Sequence, residues 1–177
     1  ANIVYAVSTT ALYKSTDGGK TFSTVTTTGL TLGTTTDRLA VSKAEPNSLW
    51  ILTVTSNTIT NVYKSTNGTS FSSIVSASST IKSKSSTTTA TAQLAFGSQG
   101  YLHACLGVSN KNANTIFVGG VGVFYTTDGG TNWYFGEDGI ASQSPHVDHL
   151  NIRFNPVSDL PYSCNDGGIS KGLTYTD

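Results

Sequence analysis

The chain has 177 residues, of which 37% are hydrophobic and 11% are charged. This length suffices for one domain with a sizeable core, and the composition excludes a charge-rich disordered chain. Ten Lys and Arg residues balance ten Asp and Glu residues without any basic cluster. The electrostatic attraction that drives nucleic-acid binding or adsorption to anionic membranes is therefore missing, and no apolar stretch is long enough to span a membrane.

The predicted elements are short strands, which together indicate an all-β chain. In chain order, strands at 3–7, 12–14 and 21–25 form a first unit (1–30), and further strands form units at 38–75, 101–136 and 146–177. The first unit lacks its innermost strand, whereas the third has one at 102–108. Residues 76–91 are almost entirely Ser, Thr, Ala and Lys. We therefore expect 76–100 to be a low-complexity insertion and loop on the surface.

A short phrase is repeated along the chain. Its copies are Ser15-Thr16-Asp17-Gly18-Gly19-Lys20-Thr21-Phe22, Ser65-Thr66-Asn67-Gly68-Thr69-Ser70-Phe71 and Thr126-Thr127-Asp128-Gly129-Gly130-Thr131-Asn132-Trp133. The Asp or Asn in third place can accept the backbone N–H groups that follow it, and the glycines can adopt the positive φ that hairpin turns need. The first hydroxyl can join this network, and the final aromatic ring can cover the turn. The phrase predicts a hairpin turn with a structural role.

This phrase resembles the Asp-box, also called the BNR repeat, of β-propellers. Segments 39–52, 112–120 and 146–169 are similar to strand–loop–strand phrases of sortilin-type and xyloglucanase-like propellers. The resemblance covers most of the chain except 76–100. It implies four-stranded antiparallel blades, two whole and two partial. The residues that would build the boxes are Ser15, Asp17, Gly19, Phe22, Ser65, Asn67, Phe71, Thr126, Asp128, Gly130 and Trp133.

The chain begins with Ala1 and contains no Met, so we expect a processed or excised piece of a longer protein. Beginning and ending within a blade favours a fragment of a larger propeller, whose remainder, in the same or another chain, is then a partner. The alternative is a four-bladed ring that closes on itself. Low charge and 52 Ser and Thr residues favour a secreted or cell-surface protein.

The segment His146-Val147-Asp148-His149 carries the densest set of reactive side chains. On a strand, His146 and Asp148 would share a face while His149 would point the other way, which makes a poor metal site. We therefore predict no metal and no cofactor. The propeller resemblance places this segment at the start of an inner strand, where polar residues line a binding cleft or bond between blades.

Asp148 and Asp166 are weak candidates for catalysis. Xyloglucanase-like glycosidases use two aspartates in similar phrases, one as acid and one as base. Here both aspartates fall in one blade, whereas those enzymes draw the pair from different blades across a cleft. A sialidase-like site needs three arginines, and this chain has only Arg38 and Arg153. The sequence leans away from an enzyme.

Cys105 and Cys164 are the two cysteines, and they fall in neighbouring units. They could form a disulfide in an oxidising compartment, or they could be buried free thiols. The function that these observations favour is a non-catalytic recognition or scaffold module that binds a protein or glycan partner. The alternatives are a fragment of a xyloglucanase-like glycoside hydrolase and a passive repeat region of a large adhesin.

Overall fold

The computed structural model describes residues 2–83, 89–91, 99–136 and 146–172. Nearly all regular structure in these ranges is β. The strands are β1 (Val4–Val7), β2 (Leu12–Ser15), β3 (Ser23–Thr24), β4 (Thr36–Ala40), β5 (Leu49–Thr55), β6 (Thr58–Ser65), β7 (Ser72–Ser76), β8 (Thr80–Lys82), β9 (Thr89–Thr91), β10 (Cys105–Val108), β11 (Ile116–Gly119), β12 (Val123–Thr126), β13 (Trp133–Phe135), β14 (His149–Phe154), β15 (Pro161–Asn165) and β16 (Gly168–Lys171). One helical turn, α1 (Gly100–His103), precedes β10. Among these residues, no helix has the length and apolar character needed to cross a membrane.

The strands form four sheets, numbered here in chain order. Sheet 1 has the order β1-β2-β3, sheet 2 β4-β5-β6-β7, sheet 3 β10-β11-β12-β13-β8-β9 and sheet 4 β14-β15-β16. Strands that follow one another within a sheet pair antiparallel. Strand β10 of sheet 3 lies between β4 of sheet 2 and β14 of sheet 4, so these three sheets follow one another in space as they do in the chain. The all-β class with four-stranded antiparallel sheets, predicted from the sequence, is confirmed.

Each middle sheet contributes to two cores because alternate residues of a strand point to opposite faces. In β5, Ile51 packs with Leu12 of sheet 1, whereas Trp50 and Leu52 pack in the core between sheets 2 and 3. In β11, Phe117 belongs to the core shared with sheet 4. Strands buried on both faces read as continuous apolar runs, which is why β5, β11 and β12 stand out in the sequence.

The segment after sheet 2 was expected to be a surface insertion. Most of its described residues are exposed or half-buried, but the expectation was wrong for the part that enters sheet 3. Thr80–Lys82 forms β8, which pairs in parallel with β13, and β9 pairs with β8. Ile81 lies opposite Trp133 and is completely buried. A single isoleucine in a polar stretch contributes a core residue because the neighbouring sheet offers both a strand edge and an apolar surface.

The predicted inner strand at 102–108 also needs correction. Strand β10 begins at Cys105, and the preceding residues form α1. The Gly100 N–H donates to the carbonyl of Asn57 over 2.6 Å. A β-carbon on Gly100 would lie 2.8 Å from that carbonyl oxygen, so the glycine lets the chain approach sheet 2 closely and turn before the strand starts.

The three copies of the repeated phrase form turns with the same hydrogen bonds. In the first, called turn 1, the Ser15 hydroxyl donates to Asp17 Oδ1 over 2.7 Å, and the Lys20 and Thr21 N–H groups donate to the same oxygen over 3.0 Å. In turn 3, the Thr126 hydroxyl donates to Asp128 Oδ1 over 2.7 Å, which also accepts the Asn132 N–H. Turn 2 uses Ser65 and Asn67 in the same places.

Turns 2 and 3 also join their sheets to the preceding sheet. The Trp133 indole N–H lies 3.1 Å from the carbonyls of Ile74 in β7 and Gly130 in its own turn. A parallel bridge joins Thr28, which follows sheet 1, to Ser70 in turn 2, as β8 joins β13. In both cases the segment that follows one sheet in the chain pairs in parallel with the next sheet, through a single bridge after sheet 1 and through the strand β8 after sheet 2.

Because the strands are antiparallel, their connections alternate between two ends of the molecule. The turn end carries turns 1, 2 and 3 and the loops 41–48 and 109–115. The opposite end, called the loop end, carries the turns at 56–57 and 166–167, the loop at 120–122 and the segments that lead into β10 and β14. The residues with catalytic or binding chemistry in the sequence gather at the loop end.

Candidate functional site

The segment that leads into β14 lies against sheet 3 before the strand begins. The Asp148 N–H donates to the Val121 carbonyl and the His149 N–H donates to the Gly120 carbonyl, both over 2.9 Å. Asp148 has a φ of +66°, a left-handed conformation that Asp tolerates better than most side chains. The strand starts at His149. The prediction that His146 and Asp148 lie on one face of a strand was therefore wrong.

His149 is completely buried beneath this segment. Its Nδ1 lies 2.6 Å from the hydroxyl oxygen of Ser163 in β15, and its Nε2 is buried without a hydrogen-bond partner. Burial lowers the pKa of His149 from 6.5 to about 4. The imidazole is therefore neutral at pH 7, and its role between sheets 3 and 4 depends on hydrogen bonding rather than on charge.

His103, which the sequence did not single out, joins the site from α1. Its Nε2 lies 3.7 Å from Asp148 Oδ1. His103 is 6% exposed, and both its Nδ1 and Asp148 Oδ1 are buried without a hydrogen-bond partner. Because 45 residues separate the two side chains, no local pattern could have paired them, and only the contact of α1 with β14 does so.

The turn between β15 and β16 forms the other side of the site. Its Asp166 is exposed, and the Gly167 N–H donates to Asn165 Oδ1 over 3.0 Å. A β-carbon on Gly167 would lie 2.6 Å from the β-carbon of His146, so His146 lies directly on this turn. His146 is exposed, and its Nδ1 is 3.1 Å from the Val147 carbonyl oxygen.

The structure thus brings His146 together with the turn that carries Asp166, and Asp148 together with His103. Within the described ranges, no three His, Cys, Asp or Glu side chains are arranged to hold a metal ion. The unpartnered atoms comprise ring nitrogens of two histidines and a carboxylate oxygen. Since these atoms are buried, the groups that a ligand can reach are the Asp148 carboxylate, which is 21% exposed, and the exposed side chains of His146 and Asp166. These groups can form hydrogen bonds with hydroxyl or amide groups of a ligand.

Cys105 and Cys164 do not form a disulfide bond in this structure. Cys105 is buried in β10 and Cys164 is exposed in β15. Burial raises the pKa of the Cys105 thiol to about 12, so it stays protonated. Its sulfur lies 3.6 Å from the His149 carbonyl oxygen, to which the thiol donates. Both thiols are free in this structure, and only Cys105 is buried. The choice between a disulfide and free thiols stays a prediction.

The likeness to solved structures concerns the fold. A crystal structure of a GH74 enzyme from Niastella koreensis aligns with 99% of this chain and 28% of its own, with a TM-score of 0.54 and 19% identity. A structure of YCF48 bound to D1 peptide aligns with 97% of this chain and 46% of its own, with a TM-score of 0.53 and 16% identity. The chain has a β-propeller fold. It spans less than half the length of either protein.

No family model matches the chain, and no curated protein matches it. The propeller fold expected from the repeated phrase is confirmed, and the finer assignment to Asp-box or sortilin-type propellers stays a prediction. At identities below 20%, similarity carries fold but not activity.

Proposed function

We propose that this chain is a non-catalytic recognition module of a secreted or cell-surface protein, and that it binds a protein or glycan partner at the loop end. The observation that supports this most is the group of polar side chains that the loop end presents together, namely His146, Asp148 and Asp166, which are exposed or half-buried. A hydrogen bond to a charged group contributes about 1.5–3 kcal/mol. Side chains that reach solvent at one end of the molecule can supply such bonds to a ligand, which favours a binding role.

The chemistry of these groups favours recognition over catalysis. His149 is neutral and bonded to Ser163, so its position between two sheets is better suited to orientation than to proton transfer. Asp166 is an exposed side chain on a tight turn, where no described group orients it toward a second carboxylate. General acid–base catalysis needs groups held within hydrogen-bond reach of the reacting atoms.

The test is direct binding by the full chain. We would apply it to a glycan array and to a peptide array, and then measure the affinity of the strongest ligand for Asp148→Asn, His103→Gln and the control Lys20→Gln, which lies on turn 1. We expect the first two variants to weaken binding about tenfold, since Asp148→Asn removes a charged acceptor and His103→Gln removes the ring nitrogen that lies 3.7 Å from it. No ligand on either array, or equal affinity in all three variants, would refute the proposal.

A second candidate function is glycoside hydrolysis. It is supported by the presence of Asp148 and Asp166 at the same end of one sheet and by the GH74 enzyme among the structures with this fold. Release of reducing sugar from xyloglucan by the full chain, abolished in both Asp148→Asn and Asp166→Asn, would establish it. Cleavage that persists in either variant, or no cleavage at all, would leave recognition as the function.

A further inference from the structure

Turn 2 departs from turns 1 and 3 in two ways. It has Asn67 where they have Asp17 and Asp128, and it is one residue shorter, so that Thr69 stands where they have their second glycine. Asn67-Gly68-Thr69 is the one place in the sequence where Ser or Thr stands two residues after an Asn. This spacing, with any residue except proline in the middle, is the acceptor pattern for N-linked glycans.

The hydrogen bonds of turn 2 fix the orientation of the Asn67 amide. Its Oδ1 accepts the Thr69 N–H over 2.9 Å and the Ser70 N–H over 2.8 Å, and it also accepts the Ser65 hydroxyl over 3.1 Å. A backbone N–H can only donate, so the amide oxygen must face these two groups. The Asn67 Nδ2 therefore points away from the bonds that close the turn.

This nitrogen is free to carry a substituent. In turns 1 and 3 the atom at this place is the second carboxylate oxygen, which accepts a hydrogen bond from the side chain of Thr21 or Asn132. Asn67 is exposed, and within the described part of the chain its Nδ2 makes no hydrogen bond. On the other side of the turn, a β-carbon on Gly68 would lie 2.5 Å from the Tyr5 hydroxyl oxygen. The turn thus rests on sheet 1 with Gly68 and presents Asn67 to solvent.

The hydroxyl that the pattern requires lies beside the amide. Thr69 Oγ1 donates to Asn67 Oδ1 over 3.1 Å, and both side chains are exposed. Since two N–H groups and the Ser65 hydroxyl already bond to Oδ1, the turn does not depend on this additional bond. An Asn that carries a sugar on Nδ2 keeps its Oδ1 as an acceptor. A glycan is therefore compatible with every hydrogen bond that closes turn 2.

We propose that Asn67 is an acceptor for an N-linked glycan. In the transfer, catalysed by the oligosaccharyltransferase of a eukaryotic secretory pathway, Asn67 Nδ2 attacks the anomeric carbon of a sugar carried by a lipid diphosphate. The nitrogen–carbon bond forms, the bond from that carbon to the phosphate oxygen breaks, the diphosphate leaves with the electron pair, and Nδ2 gives up one proton. The inference rests on the secreted or cell-surface location in the proposed function. Because turn 2 lies at the turn end, the glycan leaves the loop end free.

The test is the mass of the full chain after secretion from eukaryotic cells behind a cleavable leader. We expect a mass above that of the polypeptide, and we expect peptide N-glycosidase to remove the excess. This enzyme hydrolyses the bond between the sugar and the Asn side chain and leaves an aspartate, which peptide mass spectrometry should locate at position 67.

Four variants test the residues of the pattern. Thr69→Val removes the hydroxyl but keeps the N–H that closes the turn, and Asn67→Asp has the residue of turns 1 and 3. Both should be secreted and should lose the added mass completely. Thr69→Ser, which restores a hydroxyl, and the control Thr66→Val, which lies outside the pattern on the same exposed turn, should keep it.

An absence of added mass on the secreted chain, or added mass that persists in Thr69→Val or Asn67→Asp, would overturn the proposal. Either result leaves the proposed function standing when the same protein binds a ligand at the loop end. A chain that carries the glycan and binds no ligand gives the reverse outcome, so the two failures can be told apart.

Discussion

Turns 1 and 3 have matching sequences and matching hydrogen bonds, yet their aromatic residues have different environments. Trp133 is 3% exposed between sheets 2 and 3, whereas Phe22 is 44% exposed. The Trp133 ring contacts Phe124 edge-on at 5.4 Å between centroids and bonds to Ile74 across the sheet boundary. No described sheet lies against the corresponding side of sheet 1. The turn is thus a local structure, and the burial of its ring depends on the neighbouring sheet.

Each copy of the repeated phrase therefore contributes to stability in two ways, through the hydrogen bonds of its turn and through burial of its aromatic ring. In each copy a hydroxyl and an Asp or Asn side chain close the turn with bonds inside one stretch of about eight residues, so every copy forms them. The aromatic ring stabilises the fold only where another sheet removes it from water, because the hydrophobic contribution follows the apolar area buried. Substitutions at equivalent positions should therefore have equal effects for the turn and unequal effects for the ring.

The largest difference is expected at the rings. Trp133→Ala should lower the free energy of unfolding by about 3–5 kcal/mol, since it leaves a cavity and removes the bond to Ile74. Phe22→Ala should lower it by less than about 1 kcal/mol, since that ring is already partly in water. Urea denaturation of both variants measures the two values. Trp133→Phe, which keeps a ring but no N–H, should fall between them, and similar losses for Ala at both positions would contradict this account.

Burial by a neighbouring sheet should also make stability depend on pH through His149. Its folded pKa of about 4 lies below the unfolded value of 6.5, so the unfolded chain binds the proton more readily within this window. The free energy of unfolding should therefore fall by about 3 kcal/mol as the pH falls from 6.5 to 4, and His149 should contribute no change above it. Asp148, His103 and His146 face the ring and modulate this shift.

The measurement for His149 is urea denaturation across this pH range, beside the variant His149→Gln. Asp37, whose pKa is raised by burial, is present in both proteins and contributes equally to both slopes, so the difference between the two slopes reports His149. An identical slope in the variant would show that the buried histidine is not the source.

A smaller contrast is expected at the turn glycines. Gly130 has a φ of +105°, and a β-carbon there would lie 2.9 Å from the Ile74 β-carbon and 3.0 Å from its carbonyl oxygen. Gly18 has a φ of +78° with open space around it. Gly130→Ala should therefore cost about 2–3 kcal/mol and Gly18→Ala about 1 kcal/mol, the latter from backbone strain alone. Thermal denaturation would show whether contact with sheet 2 adds to the strain.

The smallest difference between equivalent positions is expected for the hydrogen bonds of the turn itself. Ser15 and Thr126 are both buried, and each hydroxyl bonds to its Asp and accepts the N–H of the second glycine. Ser15→Ala and Thr126→Val should each cost about 1–2 kcal/mol, with similar values because the bonds are the same. Thr127→Val, outside this network, is the control. A much greater loss for Thr126 would show that the turn, too, depends on its neighbouring sheet.

Most of the fold could be predicted from the sequence because its signals are local. The apolar runs of β5, β11 and β12, and the repeated phrase, place strands and turns without any knowledge of distant contacts. The prediction failed for β8 and for the start of β10. In both cases the deciding contact is remote, with Trp133 opposite Ile81 and the Asn57 carbonyl against Gly100.

The candidate site was predictable only in part. His146, Asp148 and His149 are adjacent in the chain, and Asp166 lies in a recognisable turn, so residue type and spacing were enough to find them. His103 carries no local signal, and its distance of 3.7 Å from Asp148 depends on the stacking of sheets 3 and 4. The arrangement of the His146–His149 segment also differed, because its backbone bonds to the loop at 120–122 instead of extending β14.

By itself, the sequence determined the β-strands, the three turns and the propeller class, because these depend on side-chain alternation, positive φ and hydrogen bonds over a few residues. Tertiary structure alone decided which aromatic rings are buried, that His149 is neutral and that His103 meets Asp148. These properties arise where one sheet faces another, and the free energy of such contacts depends on residues far apart in the chain.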